Sequence, residues 1–141
     1  HNIINSLELN PEKLEELNME LQGKYKIIKE NEAKYELYNC ENSCDLILVS
    51  YGITARICKS VISLAKKDGV NLGLIRPITT WPFPNGAFTK TLGKSKNGYL
   101  SVEMNCGQMI EDVKLAENGE EEVRFYGRTG GIVPTVDEIY K

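Results

Sequence analysis

Histidine is nearly missing from this chain: of 141 residues only His1 is one, at a terminus where it reads as a cloning remnant. Its scarcity takes the commonest general base and nitrogen ligand out of the remaining sequence and excludes a histidine-dependent triad. Clustered basic residues are missing too. Seventeen Lys/Arg against twenty Asp/Glu give a net charge of −3 with no basic stripe, which excludes the usual footprint of a nucleic-acid binder. Apolar runs such as Leu46 to Val49 are far too short to span a bilayer, and no charged-then-apolar leader opens the sequence. The expectation is a cytoplasmic protein with neither membrane nor nucleic acid among its partners. Cysteine pairs of metal-binding type are absent as well. Cys40, Cys44, Cys58 and Cys106 are expected as reduced, structural thiols, and Cys40 and Cys44, four apart, would face one another on a helix.

What remains is ordinary globular material, 41% hydrophobic and 26% charged, enough for one domain. Asn10-Pro11-Glu12 reads as an N-cap, a first-turn proline and a dipole-matched acid. Leu14, Leu17, Leu21, Tyr25 and Ile28 then recur at helical spacing on an otherwise polar helix. Residues 1–34 are therefore expected as a helix and lead-in, a linker from an upstream domain, and residues 35–141 as an α/β domain. Tyr35 to Cys44 reads as a connection holding at most a short strand. Leu46 to Val49 is a continuous apolar run, as in a strand buried on both faces. Cys58, Val61, Ile62 and Ala65 form the inner face of the next helix, with Lys66 and Lys67 in its last turn and Gly69 as a left-handed stop. Further strands are expected at Val70 to Ile75, Tyr99 to Met104 and Val123 to Tyr126. A helix from Gln108 to Glu117 turns Met109, Val113 and Ala116 inward, and Thr135 with Glu138 stands in capping-box register. Alternating strands and helices imply right-handed crossovers and a mainly parallel sheet with helices on both faces.

In such a sheet ligands and partners gather at the carboxyl ends of the strands. Three loops are expected there. In the first, residues 50–56, Gly52 permits a tight turn, and Thr54 and Arg56 stand beside free helix amides able to hold an anion. A plain strand-to-helix turn with Arg56 in water is the blander reading. The second, residues 103–109, gathers Glu103, Asn105, Cys106 and Gln108. With no histidine near, Cys106 reads as filler rather than nucleophile, and Asn105 and Gln108 as capping or partner-binding groups. In the third, residues 126–134, Gly127, Gly130 and Gly131 surround Arg128 and Thr129, and Val133-Pro134 stiffens the end of the loop. Between the second and third of the four strands, residues 76–84 carry three prolines with Trp81 and Phe83. That is a rigid aromatic segment suited to covering the sheet end or meeting a neighbouring domain.

Together LIRPITTWPFP (74–84), VEMNCGQMIEDVKLA (102–116), FYGRTGGIVPT (125–135) and YGITAR (51–56) closely resemble the α subunit of 2-oxoacid:ferredoxin oxidoreductases of the 2-oxoglutarate and 2-oxoisovalerate types. Cys106 and Val136-Asp137 depart from the pattern. The resemblance implies a transketolase C-terminal-like fold, a three-layer α/β/α sandwich around a mostly parallel, five-stranded mixed sheet whose antiparallel strand the Tyr35 region or a terminus would supply. It implies a whole enzyme that decarboxylates a 2-oxoacid on thiamine diphosphate, forms an acyl-CoA and passes electrons to ferredoxin through iron–sulfur clusters. Thiamine diphosphate, Mg2+ and the clusters would lie elsewhere in that complex. This fragment would hold no catalytic, cofactor or metal residues and be inactive alone. Its partners would be an upstream pyrimidine-side domain, a β subunit, a small iron–sulfur subunit and ferredoxin. Thr54, Arg56, Asn105, Gln108, Arg128, Thr129, Gly130 and Gly131 are the expected interface or substrate- and CoA-framing positions. Rival readings are the C-terminal domain of another thiamine enzyme (a transketolase or a dehydrogenase β chain), a free-standing anion-binding module, or an adaptor using an exposed Trp81.

Overall fold

A computed structural model describes residues 7–141; His1, with its reading as a cloning remnant, lies outside them. The chain divides into two compact units between Glu32 and Ala33. The first contains one long helix, α1 (Pro11–Asn31), whose N-cap Asn10 accepts a hydrogen bond from the Lys13 amide and whose first turn holds Pro11. None of its residues is buried.

The second unit is a three-layer sandwich. Among the described residues its elements run β1 (Tyr35–Tyr38), β2 (Leu46–Val49), α2 (Gly52–Lys67), β3 (Leu72–Pro77), α3 (Asn85–Thr91), β4 (Tyr99–Glu103), α4 (Met109–Glu117), β5 (Val123–Gly127) and α5 (Val136–Tyr140). The strands stand in the order β1-β3-β2-β4-β5. All neighbours are parallel except β1, which pairs antiparallel with β3, Tyr35 opposite Pro77 and Tyr38 opposite Leu74. The Tyr35 segment thus supplies the antiparallel strand.

Alternation of side chains across the pleat feeds two cores. Ile47, Val49 and Ile75 meet Phe88 of α3 and Met109 and Val113 of α4 on one face. Leu48, Leu74 and Val102 meet Cys58, Val61, Ile62 and Ala65 of α2 and Ile139 of α5 on the other. Both faces of the central strands are covered, which is why β2 is apolar at every position. Ala116, half-buried, packs against the first core as expected. Two details correct the sequence reading. Residues 85–91, unassigned there, form α3 and bury Ala87, Phe88 and Thr91. Cys40 and Cys44 do come together, but on the β1–β2 loop rather than on a helix. No helix of the described residues is long and apolar enough to cross a membrane.

Candidate functional site at the carboxyl edge of the sheet

From β2 the chain moves to β3 on one side, and from β4 to β5 on the other. The connections therefore diverge between β2 and β4, leaving a crevice beyond their carboxyl ends of the kind where open α/β sheets place their ligands. A cleft of about 190 Å³ lies there, walled by Tyr51, Thr80, Phe83, Gln108, Met109 and Asp112.

The β2–α2 turn forms one wall. Ser50 is fully buried; its hydroxyl donates to the Val102 carbonyl at 2.8 Å and lies 2.6 Å from Thr54 Oγ1. Thr54 Oγ1 donates to the Tyr51 carbonyl at 2.7 Å. Thr54 is thus committed to holding the turn shut. Arg56, one helical turn into the solvent, is exposed, and no ion pair holds it among the described residues.

The opposite wall rests on Glu103, the buried last residue of β4. One carboxylate oxygen accepts from the Ile110 amide at 2.9 Å and the Ser101 hydroxyl at 2.9 Å; the other accepts from the amides of Met109 at 2.8 Å and Gln108 at 3.1 Å. The free amides at a helix N-terminus are a ready anion site, and here the chain's own carboxylate fills it. Asn105 Oδ1 takes the Gly107 amide at 2.7 Å and shares the Gln108 amide at 3.1 Å. Asn105 is therefore a cap. Gln108 sits at the N-cap position without a side-chain cap bond and lines the cleft, and Cys106 is exposed.

The third loop is shaped, not slack. A side chain at Gly127 would stand 2.4 Å from the Asn105 carbonyl and 2.4 Å from the Phe125 ring, so only glycine lets β5 lie this close to the neighbouring loop. Gly130 and Gly131 take φ of 66° and 81° in open space, a conformation that side-chain-bearing residues resist. The Arg128 amide donates to the Glu103 carbonyl at 3.2 Å, and its guanidinium pairs with Glu138. Glu138 also receives the Thr135 amide at 2.7 Å, completing the capping box of α5. These bonds, that of the Thr135 amide first, then the Thr135 hydroxyl and the Arg128 charge, hold the Glu138 carboxyl below the usual carboxylate range. Arg128 therefore works as a strut joining the loop to α5. Thr129, Gly130 and Gly131 are exposed.

The proline-rich segment crosses the same edge. Trp81-Pro82 is a cis peptide bond, Thr79 Oγ1 donates to the Pro82 carbonyl at 2.9 Å, and Phe83 turns inward to stack on Phe88 at 5.8 Å between ring centroids. Trp81 points out, 56% exposed. With Ile78, Tyr51, Ile53, Ile132 and Val133 it gives the carboxyl edge a series of exposed apolar side chains.

The eight candidates gather on this edge, but their offices differ. Thr54, Asn105 and Arg128 serve the fold; Arg56, Gln108, Thr129, Gly130 and Gly131 face outward. Ser50 and Glu103 lie in loops the sequence singled out, but it gave neither of them a role. The available signal for Glu103 was an acid ending an apolar strand just ahead of a helix that opens on Gln108, a poor capping residue.

Residues 44–139 match the family model described as pyruvate:ferredoxin oxidoreductase core domain II. The chain is 42% identical over 140 residues to ketoisovalerate oxidoreductase subunit VorB of Methanothermobacter marburgensis, covering 99% of this chain and 39% of that protein. It is 34% identical over 98 residues to 2-oxoglutarate synthase subunit KorA of the same organism, covering 70% of this chain and 26% of that one. The chain thus spans about two fifths or less of the curated relatives it matches. Among solved structures, a 2-oxoglutarate:ferredoxin oxidoreductase from Magnetococcus marinus with 2-oxoglutarate, coenzyme A and succinyl-CoA bound superposes with a TM-score of 0.77 at 17% identity, over 94% of this chain and 23% of that one. A split-gene transketolase in an inactive β4 tetramer does so at 0.63 and 12% identity, over 76% of this chain and 39% of that one. At these identities the two structures establish the fold, a transketolase C-terminal-like sandwich. Because the family match runs from β2 into α5 and hence takes in all three strand-end loops, this chain belongs to the pyruvate:ferredoxin oxidoreductase core domain II family.

Proposed function

We propose that this chain is the C-terminal part of the α subunit of a thiamine-diphosphate-dependent 2-oxoacid:ferredoxin oxidoreductase, one that converts 2-oxoglutarate or branched-chain 2-oxoisovalerate to the acyl-CoA. The domain assembles the enzyme and frames the site, and the chemistry is performed elsewhere. One observation carries this reading: at the carboxyl edge the anion-binding amides of α4 are already filled by Glu103, while Tyr51, Ile53, Ile78, Trp81, Ile132 and Val133 stand exposed around them. A surface that has spent its ligand-binding amides on itself and presents apolar side chains suits docking better than catalysis.

The described residues offer no ligand set for a metal ion or an iron–sulfur cluster. Three of the four thiols are buried and the fourth, Cys106, stands alone, so a cluster has no ligand set; no group of three or more His, Cys, Asp or Glu could hold a metal ion. The reading places thiamine diphosphate, Mg2+ and the iron–sulfur clusters in other parts of the complex. The proposed partners are an upstream pyrimidine-side domain, a β subunit, a small iron–sulfur subunit and ferredoxin. Arg56, the exposed cation of the β2–α2 turn, is the residue assigned to the approach of an anionic substrate or coenzyme A.

The test uses the full-length polypeptide with its partner subunits. Ile53→Asp and Trp81→Ala are expected to reduce co-purification of the partners and, with it, 2-oxoacid- and CoA-dependent dye reduction. Arg56→Ala is expected to raise a KM at unchanged assembly. Wild-type assembly and wild-type Michaelis constants in all three variants would overturn the reading.

A further inference from the structure

The pair Cys40 and Cys44 lies outside the site just described, at the opposite edge of the sheet. Both side chains are buried, at 2% and 0% exposure, in the loop joining β1 to β2, with three residues between them. Their sulfurs lie side by side over Gly73 of β3. A carbon added there would sit 2.7 Å from Cys40 Sγ and 3.0 Å from Cys44 Sγ, touching both at once. Gly73 has no positive φ to explain it, and a glycine inside a strand costs stability, so its place in the middle of β3 is accounted for by the two sulfurs. Neither thiol is firmly anchored. Cys40 Sγ donates to the carbonyls of Tyr38 at 3.4 Å and Leu74 at 3.6 Å, and Cys44 Sγ to those of Asn39 at 3.2 Å and Asn42 at 3.6 Å. These are divided, weak bonds that leave each sulfur able to turn toward the other.

We propose that Cys40 and Cys44 are a dithiol that a peroxide oxidises reversibly to an intraloop disulfide. One sulfur attacks a peroxide oxygen; the O–O bond breaks, and the departing hydroxide leaves as water with the thiol proton. The resulting sulfenic acid is then attacked by the second sulfur: the S–S bond forms, the S–OH bond breaks, and a second water departs with the second thiol proton. Two electrons pass from the two sulfurs to one peroxide, and two waters leave.

The reaction is gated by burial. Desolvation, then the neighbouring Cys44, pushes the Cys40 thiol up to about 11, and desolvation raises Cys44 as well, so little thiolate exists at neutral pH. Several bonds close the loop over the pair. Lys94 Nζ donates to the carbonyls of Cys40 at 3.1 Å and Glu41 at 3.5 Å, the Cys44 amide donates to the Lys94 carbonyl at 2.7 Å, and Asn71 donates to the Ser43 carbonyl at 2.7 Å, so oxidation of the pair waits on opening of this loop. Exposed Cys106 therefore oxidises first and the pair second. Cys58, buried in the opposite core with its thiol pushed up to about 12 by desolvation and with no second thiol beside it, stays reduced. A loop this short removes little chain entropy, so the bond is a reversible mark on the protein, not a staple.

A Cys106→Ser background leaves Cys40, Cys44 and Cys58 as the thiols of residues 1–141 and isolates the pair among them. The protein is treated with hydrogen peroxide, quenched in acid, alkylated in denaturant and digested with trypsin, which delivers both cysteines in the single peptide 35–56. The expected result is loss of two of the three alkylation sites, a peptide two hydrogens lighter than its reduced form, and full recovery with dithiothreitol. Adding Cys44→Ser is expected to abolish the internally linked peptide and to leave Cys40 as a sulfenic acid or a more highly oxidised form. Two outcomes overturn the proposal: both thiols staying alkylatable at a dose that fully oxidises Cys106 in the parent chain, or separate conversion to sulfinic acids with no linked peptide.

Discussion

The two ends of the sheet are built on opposite plans. At the amino end, polar side chains bind one another or the backbone. Asp45 receives the Lys96 ammonium and the Asn71 amide, each at 2.8 Å. Asn71 donates to the Ser43 carbonyl at 2.7 Å, and Asn97 to the Asp45 carbonyl at 2.8 Å. Asn39 reaches the Leu72 carbonyl at 2.7 Å. At the carboxyl end the hydrogen bonds are hidden beneath the surface, from Glu103 to α4 and from Ser50 to β4, and apolar side chains are what shows. One end is closed by its own chain and the other is left for something else to close. Where a domain spends its polar side chains thus says which of its faces the solvent keeps.

If Glu103 is the support of the open end, its removal should be the most damaging change. Glu103→Ala leaves the Ser101 hydroxyl and the Met109 and Ile110 amides without their acceptor and the Gln108 amide on Asn105 alone, and unsatisfied buried donors of this kind imply a loss of about 3 kcal/mol or more in urea unfolding. A loss below about 1 kcal/mol would break the contrast, while partial recovery in formate, which can refill the anion site, would sharpen it. Gly127→Ala comes next. Its new carbon meets the Asn105 carbonyl and the Phe125 ring, an overpacking expected to cost about 2 kcal/mol. Gly131→Ala meets nothing and pays only for its positive φ, about 1 kcal/mol; a reversed order of the two in thermal melts would show that the loop is flexible rather than shaped.

At the amino end the lever is pH. The Lys96 ammonium first, then the Asn71 amide, holds the Asp45 carboxyl below its ordinary range. A lowered folded-state value contributes stability above the ordinary aspartate pKa, and that contribution is lost as pH falls through the lowered one. Asp45→Asn should therefore flatten the acid side of a stability–pH profile, whereas Ile53→Ser at the carboxyl end should leave its shape unchanged. An unaltered acid limb in the asparagine variant would remove the electrostatic half of the contrast. Smallest of all, Trp81→Ala and Ile53→Ser should change the stability of the chain by itself by no more than about 0.5 kcal/mol, since exposed positions away from caps and cores matter little. A larger loss in denaturant would mean that these side chains serve the fold and not a partner.

Most of the architecture was legible because the apolar pattern is strong wherever both faces are covered. Leu46-Ile47-Leu48-Val49 can hardly be anything but a central strand, and Thr135 and Glu138 make both bonds of the box their spacing suggested. β1 was faint because Tyr-Glu-Leu-Tyr is a half-buried edge strand. Helix α3 was missed because Asn85-Gly86-Ala87-Phe88-Thr89-Lys90-Thr91 has little helical propensity and is held by burying Ala87, Phe88 and Thr91. At the site, the sequence located the loops but not the pairings within them. Arg128 looked free until Glu138, ten residues on, took it; Thr54 looked outward until Ser50 and the Tyr51 carbonyl took its hydroxyl. Contacts of that kind depend on where α5 and β4 come to rest, which no local pattern encodes.

Strand β1 runs against the other four. Glu36 fixes it between Lys59 of α2 at 2.6 Å and Arg76 of β3 at 3.0 Å, while Lys34, just ahead of it, exchanges hydrogen bonds with Ile78 and Thr79. A parallel strand in that place would bring the incoming chain in at the closed end. The reversed one brings it in beside Thr79, on the open end itself. The open end therefore carries a crossing of its own chain at Lys34, and a partner that covers Trp81 would have to share that rim with the strand entering there.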